Sequence, residues 1–521
     1  MYNKMFSPRV LKSVASLTCR AFSQQGKAPD MAEGNAYLLV TNVRNRLRQI
    51  VGASTNWNDH QQAMAERISL SKHLANSQEE LPAKTMKESE IEVHLPLGTQ
   101  PSLREKYLNF HNSVRYRRCT RTLHRLLYEL CLDLEQGVLQ RNAYLLVTNV
   151  RNRLRQIVGA STNWNDHQQA MAERISLSKH LANSQEELPA KTMKESEIEV
   201  HLPLGTQPSL REKYLNFHNS VRFGRILEDL DSIAVLICYS HTWNKELERS
   251  PLSIVTALVD KIDMRRNIIY PDCDIKFTGH VTWVGKTSIE AKMHMTQFHD
   301  GAYTPVLDAT FVMVARDPEN KRAAFVNPLK LENPEEEKIF QQGEINKKRR
   351  VELSTASLLK VAPTAEERTL VHSLFLNTLD AKTVSFRSRI LPPNSVWMED
   401  AKLKGLEICH PQERNIFNRI FGGFLMRKAY ELGWANACAF AGCRPILVAV
   451  DDIVFRKPVE IGSLLLLSSQ VCYTEGHHVQ VRVHTEVLDP LTRQHNTTNV
   501  FHFTFQVENP IPAVVPQSYG G

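Results

Sequence analysis

The chain has 521 residues, of which 42% are hydrophobic and 23% charged, which is enough to bury two domains with connecting structure and stay in solution. Its formal charge of +8 sits largely at the start, where Lys4, Arg9, Lys12, Arg20 and Lys27 all precede the first acid, Asp30. The remainder is nearly balanced, which argues against a nucleic-acid partner, and no apolar run nears the roughly 18 residues that span a bilayer.

Residues 1–29 are basic, contain serines and lack acids until Asp30, and Val10, Leu11, Val14 and Leu17 can line one side of a helix. That composition is expected of a mitochondrial transit peptide, with RAFS as the processing site and cleavage after Phe22, so the mature chain is expected in the matrix. Nine cysteines without a CxxC pair fit a reducing compartment, and no histidines stand at metal-site spacing beside them, so no metal is expected.

Asn35 to Arg115 recurs letter for letter as Asn142 to Arg222. Structural repeats drift in sequence and have periods of about 20–50 residues, so this verbatim copy points to a very recent duplication or a faulty gene prediction. Residues 35–115 and the spacer 116–141 are expected to lie outside the fold. The copy at 142–222 is expected to be the working one, because only it runs on into FGRILEDLDSIAVL. Residues 142–195 form an amino-terminal arm, 196–330 a first domain, 331–385 a linker with a helix, 386–510 a second domain and 511–521 a tail.

A second, divergent repeat defines the two domains. Asn216-Phe-His-Asn-Ser-Val-Arg-Phe-Gly224 matches Asn415-Ile-Phe-Asn-Arg-Ile-Phe-Gly-Gly423 at both asparagines, the aliphatic position and the last glycine. After each glycine apolar residues recur at three- and four-residue steps: Ile226, Leu227, Leu230, Ile233, Ala234 and Ile237 in one, Leu425, Ala429, Leu432 and Ala435 in the other. Alternating strands follow in both, with LVDKIDMRR (258–266) answering AVDDIVFRK (449–457). The strands ahead of the helices are SEIEVHLPL (196–204) and AKLKGLEICH (401–410). VGKTS at 284–288 resembles a phosphate-binding loop, but Gly279 stands one residue too early and the segment alternates like a hairpin. In the linker, Thr364 and Glu367 form a capping box, and KKRR (347–350) is expected on a solvated face.

An amphipathic helix followed by a sheet with one apolar face is solved by wrapping the sheet around the helix, which is the hotdog fold. The expected class is therefore α+β, with two hotdog domains in tandem forming a pseudo-dimeric double hotdog. NIFNRIFGGFLMRKAYELG and VAVDDIVFRKPVEIGSLLLLSSQVCYTEG are similar to the acyl-coenzyme A thioesterases of the two-hotdog type. The resemblance covers about 190–510 and implies hydrolysis of acyl-CoA, a substrate that brings its own coenzyme A, so that no separate cofactor is needed. A homo-oligomer is the expected assembly. Both units depart from the family's usual His-Gly-Gly, with Arg222-Phe223-Gly224 and Phe421-Gly422-Gly423.

Thioester hydrolysis needs a polarised carbonyl and a carboxylate, and a helix amino terminus supplies backbone N–H groups and partial positive charge. Asp231 stands seven residues past Gly224, and Glu431 eight past Gly423. Eight residues of helix rise about 12 Å, so the acid for each glycine must come from the opposite helix. One site then pairs Asn415 and Gly423 with Asp231; the other pairs Asn216 and Gly224 with Glu431. The resemblance places catalysis on an Asn before the glycines and an Asp on the opposing helix, which favours the first pair. Helix capping is the plainer role for both asparagines, and solvent exposure the plainer state for Asp231, Glu228 and Asp229. Arg456, Lys457, Arg265 and Arg266, at the ends of matching strands, are candidates for the phosphates of coenzyme A. Two other classes stay open: a hotdog dehydratase, which would want a histidine on the helix, and a non-catalytic acyl-CoA-binding protein.

Overall fold

The computed structural model describes residues 38–39, 93–94, 145–158 and 174–518, except 267, 320, 356–360, 381–388, 416, 418, 490 and 491. The expected transit peptide, the spacer 116–141 and nearly all of the first copy lie outside the described residues. Within residues 1–106, Leu38–Leu39 pairs in parallel with Val93–His94. The same letters in the second copy pair the same way, Leu145–Leu146 with Val200–His201.

From residue 107 onwards the described elements begin with β1 (Leu145–Leu146), α1 (Val147–Val158), β2 (Ile198–Leu202) and α2 (Pro208–Tyr214). The first unit continues with α3 (Phe223–His241), β3 (Ser253–Met264), β4 (Ile275–Val284), β5 (Ser288–His299) and β6 (Ala302–Arg316). Two linker helices follow, α4 (Pro334–Thr355) and α5 (Ala365–Leu376). The second unit holds β7 (Lys402–Ile408), α6 (Gly422–Ala441), β8 (Ile446–Phe455), β9 (Leu464–Glu475), β10 (His478–Leu488) and β11 (His495–Gln506).

Eleven strands form one sheet in the order β7-β9-β10-β11-β8-β3-β6-β5-β4-β2-β1. The half running from β2 to β3 packs on α3, and the half from β8 to β7 packs on α6, so the class is mixed α and β with antiparallel strands facing helices. The halves meet where β3 and β8 pair antiparallel, Val450 opposite Ile262 and Ile453 opposite Val259. Each of these four residues matches its diagonal partner in the divergent repeat, so the seam lies on an approximate twofold axis.

The alternation in the sequence sets the core. Phe277 and Val281 on β4, and Phe501, Phe503 and Phe505 on β11, point inward and are fully buried. The apolar positions expected on α3 are buried to the last one, and so are Leu425 and Ala429 on α6, while Leu432 and Ala435 are half-buried. α3 is apolar nearly all round because it is covered on every side: by its strands, by α6 and by α1, whose Val147, Val150, Leu154 and Ile157 are buried. β4 and β5 form the expected hairpin, not a phosphate loop.

The linker corrects one expectation. The capping box on α5 is present, with Glu367 N–H donating to Thr364 Oγ1 at 3.2 Å. The KKRR stretch, however, is not simply solvated. Arg350 reaches Glu290 at 3.1 Å and Asp260 at 3.4 Å, and Arg349 reaches Asp260 at 3.4 Å. Both carboxylates are buried on the outer face of the sheet and would be costly there without counter-ions. Trp283 Nε1 donates to Glu344 at 2.7 Å, fixing α4 along the same face.

Candidate functional site

α3 and α6 lie against each other with their amino termini near the crossing. Gly224 faces Arg427, and Gly423 faces the Glu228 backbone so closely that a Cβ would stand 2.8 Å from its Cα. Arg427 Nε and Glu228 Oε1 bond at 2.8 Å across the crossing, and Arg225 adds a second contact to Glu228 at 2.6 Å. Glu228 is thus a buried ion-pair partner, not an exposed flank residue, and Asp229 accepts a hydrogen bond from the Tyr214 hydroxyl at 2.7 Å.

Asp231 is the carboxylate brought to the other helix. It is 1% exposed, and the Gly423 N–H donates to its Oδ2 at 2.7 Å across 192 residues of sequence. Thr256, on β3, donates its hydroxyl to Oδ1 at 2.6 Å. Burial pushes the carboxyl up to about 6, held back by these two donors and by the charge of Arg151. A group poised near neutrality in a cleft is suited to taking and returning a proton.

Beside Asp231 lies a cavity of about 540 Å³. Val235, Ile254, Leu425 and Phe455 give it apolar walls; Asn415, Gly422, Arg456 and Lys457 also line it. Gly422 is the first residue of α6, and its N–H has no hydrogen-bond partner among the described residues, as expected of a first-turn amide. A Cβ on Gly422 would stand 3.0 Å from Asp231 Oδ2 and 3.3 Å from the Phe455 ring, so side-chain-free backbone is what lets the cavity reach the acid.

This corrects the expected role of Gly423. Its amide is occupied by Asp231, and the open donor is Gly422, one residue earlier. The sequence shows a double glycine but not which one follows the cap. Thr256 was missed as well; its only signal is a lone hydroxyl in the apolar run IVTALV.

Asn415 and Asn216 both hold the turn ahead of their helix. Asn415 Oδ1 accepts from Phe417 N–H at 2.8 Å and Arg419 N–H at 3.1 Å; Asn216 Oδ1 accepts from His218 and Ser220 at 2.9 and 3.0 Å. The side-chain nitrogens differ. Asn216 Nδ2 donates to Ser220 Oγ at 2.8 Å, whereas the second unit has Arg419 in place of that serine, and Asn415 Nδ2 has no partner among the described residues. Asn415 therefore keeps both N–H donors of its amide for a ligand, whereas Asn216 has one of its two already committed to Ser220.

The second expected pairing is not brought together. Seven residues past Gly423, the position that answers Asp231, is Tyr430, not Glu431. Phe223, which answers Gly422, packs its ring against Tyr430 at 5.3 Å. Two aromatic rings thus fill the place that elsewhere holds an acid and a cavity. Glu431 is 36% exposed and bonds Arg222 at 2.6 Å, and the Gly224 amide is not its partner. The residue answering Thr256 is Leu447, which brings no hydroxyl.

Among the phosphate candidates, Arg456 and Lys457 line the cavity, with Lys457 Nζ donating to Asn496 at 2.9 Å. Arg265 is drawn instead to Asp308, its Nε at 2.7 Å, and neither Arg265 nor Arg266 lines the cavity.

No family model matches the chain. A Bos taurus protein named acyl-coenzyme A thioesterase 9, mitochondrial, is 68% identical over 374 residues, 72% of this chain and 86% of its own length. Its Homo sapiens namesake is 66% identical over 374 residues, covering 72% and 85%. Acyl-coenzyme A thioesterase 2, chloroplastic, from Humulus lupulus is 35% identical over 340 residues, covering 63% and 76%. Among solved structures, an acyl-CoA hydrolase from Staphylococcus aureus in complex with butyryl coenzyme A, coenzyme A and coenzyme A disulfide matches at 23% identity and a TM-score of 0.23. That match covers 24% of this chain and 79% of that one. The 12:0-ACP thioesterase from Umbellularia californica matches at 8% identity and a TM-score of 0.36, covering 60% and 98%. Scores this low carry no argument, but the sequence relatives show the family. Their class is that of thioester hydrolases. The chain belongs to the acyl-coenzyme A thioesterase family.

Proposed function

We propose that acyl-CoA is hydrolysed in the cavity between α3 and α6, with Asp231 as general base and with Gly422 N–H and Asn415 Nδ2 holding the oxyanion. The two units are then a tandem double hotdog whose working site takes its acid from one half and its donors from the other. The observation that carries this reading is a buried carboxylate, fixed on both oxygens, beside an unpartnered helix-terminal amide at one cavity.

A carboxylate offers about four lone-pair positions, so Asp231 can hold Thr256 and Gly423 and still accept from a water. It takes that water's proton as the oxygen attacks the thioester carbon. Negative charge then builds on the carbonyl oxygen, where a helix-terminal amide is worth about 3 kcal/mol. Collapse expels the thiolate, which receives the proton from Asp231, leaving free acid and coenzyme A. Arg456 and Lys457 stand at the same cavity for the phosphates. A dehydratase would need a histidine here, and none of the described residues lining the cavity is one.

Asp231→Asn keeps the size and most of the hydrogen bonds but cannot take a proton, so acyl-CoA turnover should fall by roughly a hundredfold or more. In the unchanged enzyme the rate should drop as pH falls through about 6, because only the carboxylate works. Stability should run the other way. The folded state keeps its proton at a higher pH than the unfolded chain, so ionising Asp231 costs stability as pH rises from about 4 towards 6. Asp231→Asn should therefore not lower Tm at pH 8. Turnover within a few-fold of the unchanged enzyme would remove Asp231 from the mechanism.

The relatives carry mitochondrial in their names, and the acid-free segment 1–29 supports the matrix as the place of action. A fluorescent reporter fused behind residues 1–29 should enter the matrix; a reporter left in the cytosol would refute the assignment.

A further inference from the structure

We propose that the amino-terminal arm is a wall of the hydrolytic cleft and that Arg151, on α1, is a positioning residue for both Asp231 and the start of α6. The inference rests on the assignment of Asp231 as the base and adds a residue outside the two repeated units.

α1 is docked by one face and works with the next. Val147, Val150, Leu154 and Ile157 follow three- and four-residue steps and are buried against the core shared with α3. Arg151 and Arg155, next to that stripe, reach the cavity that also holds Asp231. The Arg151 guanidinium lies over the Phe421 ring, 4.6 Å from its centroid. Phe421 is the cap residue of α6, directly ahead of Gly422 and Gly423. A planar cation stacked there fixes the ring that starts the donor helix.

Among the described residues Arg151 has neither an ion pair nor a hydrogen bond, and its charge acts on two buried carboxyls of α3, Asp229 and Asp231. On Asp231 that charge acts to favour the carboxylate, and Glu228 on the same helix acts against it. Glu228 is itself held by Arg225 and Arg427, and Asp229 by Tyr214. The other charged groups facing the cavity are Arg155 on α1, Arg316 on β6, Arg414 and Arg419 before α6, and Arg456 and Lys457 after β8. All of these are cations, yet Arg151 is the one whose charge is felt at Asp231 among the leading influences.

The test is the pH dependence of kcat/KM on one acyl-CoA, measured with the full chain and with Arg151→Ala, Arg151→Lys and Asp231→Asn. Arg151→Ala should move the acid limb upward by about half a unit or more, so that the loss in rate is largest near pH 6 and shrinks towards pH 8.5. Arg151→Lys keeps the charge and should restore most of the limb's position, although its kcat should stay low because the stack on Phe421 is lost. Should the alanine variant fail to fold, Arg151→Gln carries the same comparison. An unmoved limb in the neutral variants, with Asp231→Asn inactive, would overturn the role of Arg151 and leave the base assigned. A loss equal at every pH would also overturn it, since that is what a merely structural or substrate-holding residue gives. Activity retained in Asp231→Asn would instead bring down the assignment beneath it.

Discussion

The two ends of the α3–α6 crossing are related by the seam between β3 and β8, and they do opposite things. At one end Gly422 leaves room, Asp231 fills part of it with a carboxylate, and Thr256 and Gly423 hold that carboxylate in place. At the other end the answering residues are Phe223, Tyr430 and Leu447, and two rings close the space. The backbone frame is shared; the chemistry is decided by three side-chain positions. A helix amino terminus and a facing strand do not by themselves make a site. The site appears where a missing Cβ opens the interface and a polar partner on the strand pays for the buried charge.

The comparison can be broken most strongly at the open end. Asn415→Ala should lower turnover by roughly a hundredfold, because the turn and the open Nδ2 donor are lost together. Its loss should not add to that of Asp231→Asn, since both serve one transition state. Gly422→Ala keeps the amide but sets a methyl 3.0 Å from Asp231 Oδ2, and should cost about tenfold or more in kcat with an unfolding temperature close to that of the unchanged chain. Steady-state kinetics on one acyl-CoA reads both. Full activity in Asn415→Ala would mean that the oxyanion is held elsewhere, and full activity in Gly422→Ala that the cavity does not need the missing Cβ.

The smallest effects should come from the closed end. Asn216→Ala and Glu431→Gln should each cost less than about tenfold in turnover. Glu431 is half in solvent, so losing its bond to Arg222 should change stability by no more than about 1 kcal/mol in thermal or urea unfolding. A loss at these positions larger than that of Asn415→Ala would move catalysis to the other end.

Much of this was legible in the sequence because periodicity reports burial. The two long helices, their glycine starts and the alternating strands all follow from spacing, and so does the argument that the acid must come from the opposite helix. The spacing and the family resemblance together singled out Asp231 and Asn415, which the fold brings to one cavity. What could not be read depended on register and on partners far along the chain. Choosing Glu431 over Tyr430 followed chemical type where position decides. Gly422 and Gly423 differ only by which of them follows the cap. Asp260 and Glu290 alternate on their strands like solvent-facing residues, and only the docking of α4 buries them and gives Arg349 and Arg350 their purpose.

The β3–β8 seam has a further consequence, for how such a site can change over generations. In a symmetric dimer of identical halves, every substitution lands on both interfaces at once, so closing one with an aromatic pair would close the other. Here Val259 and Ile453, and Val450 and Ile262, stitch two halves of a single polypeptide, and each interface answers to its own codons. One end is then free to become filler that steadies the crossing, while the other keeps its opening. The working end also survives dilution, because its two halves cannot drift apart.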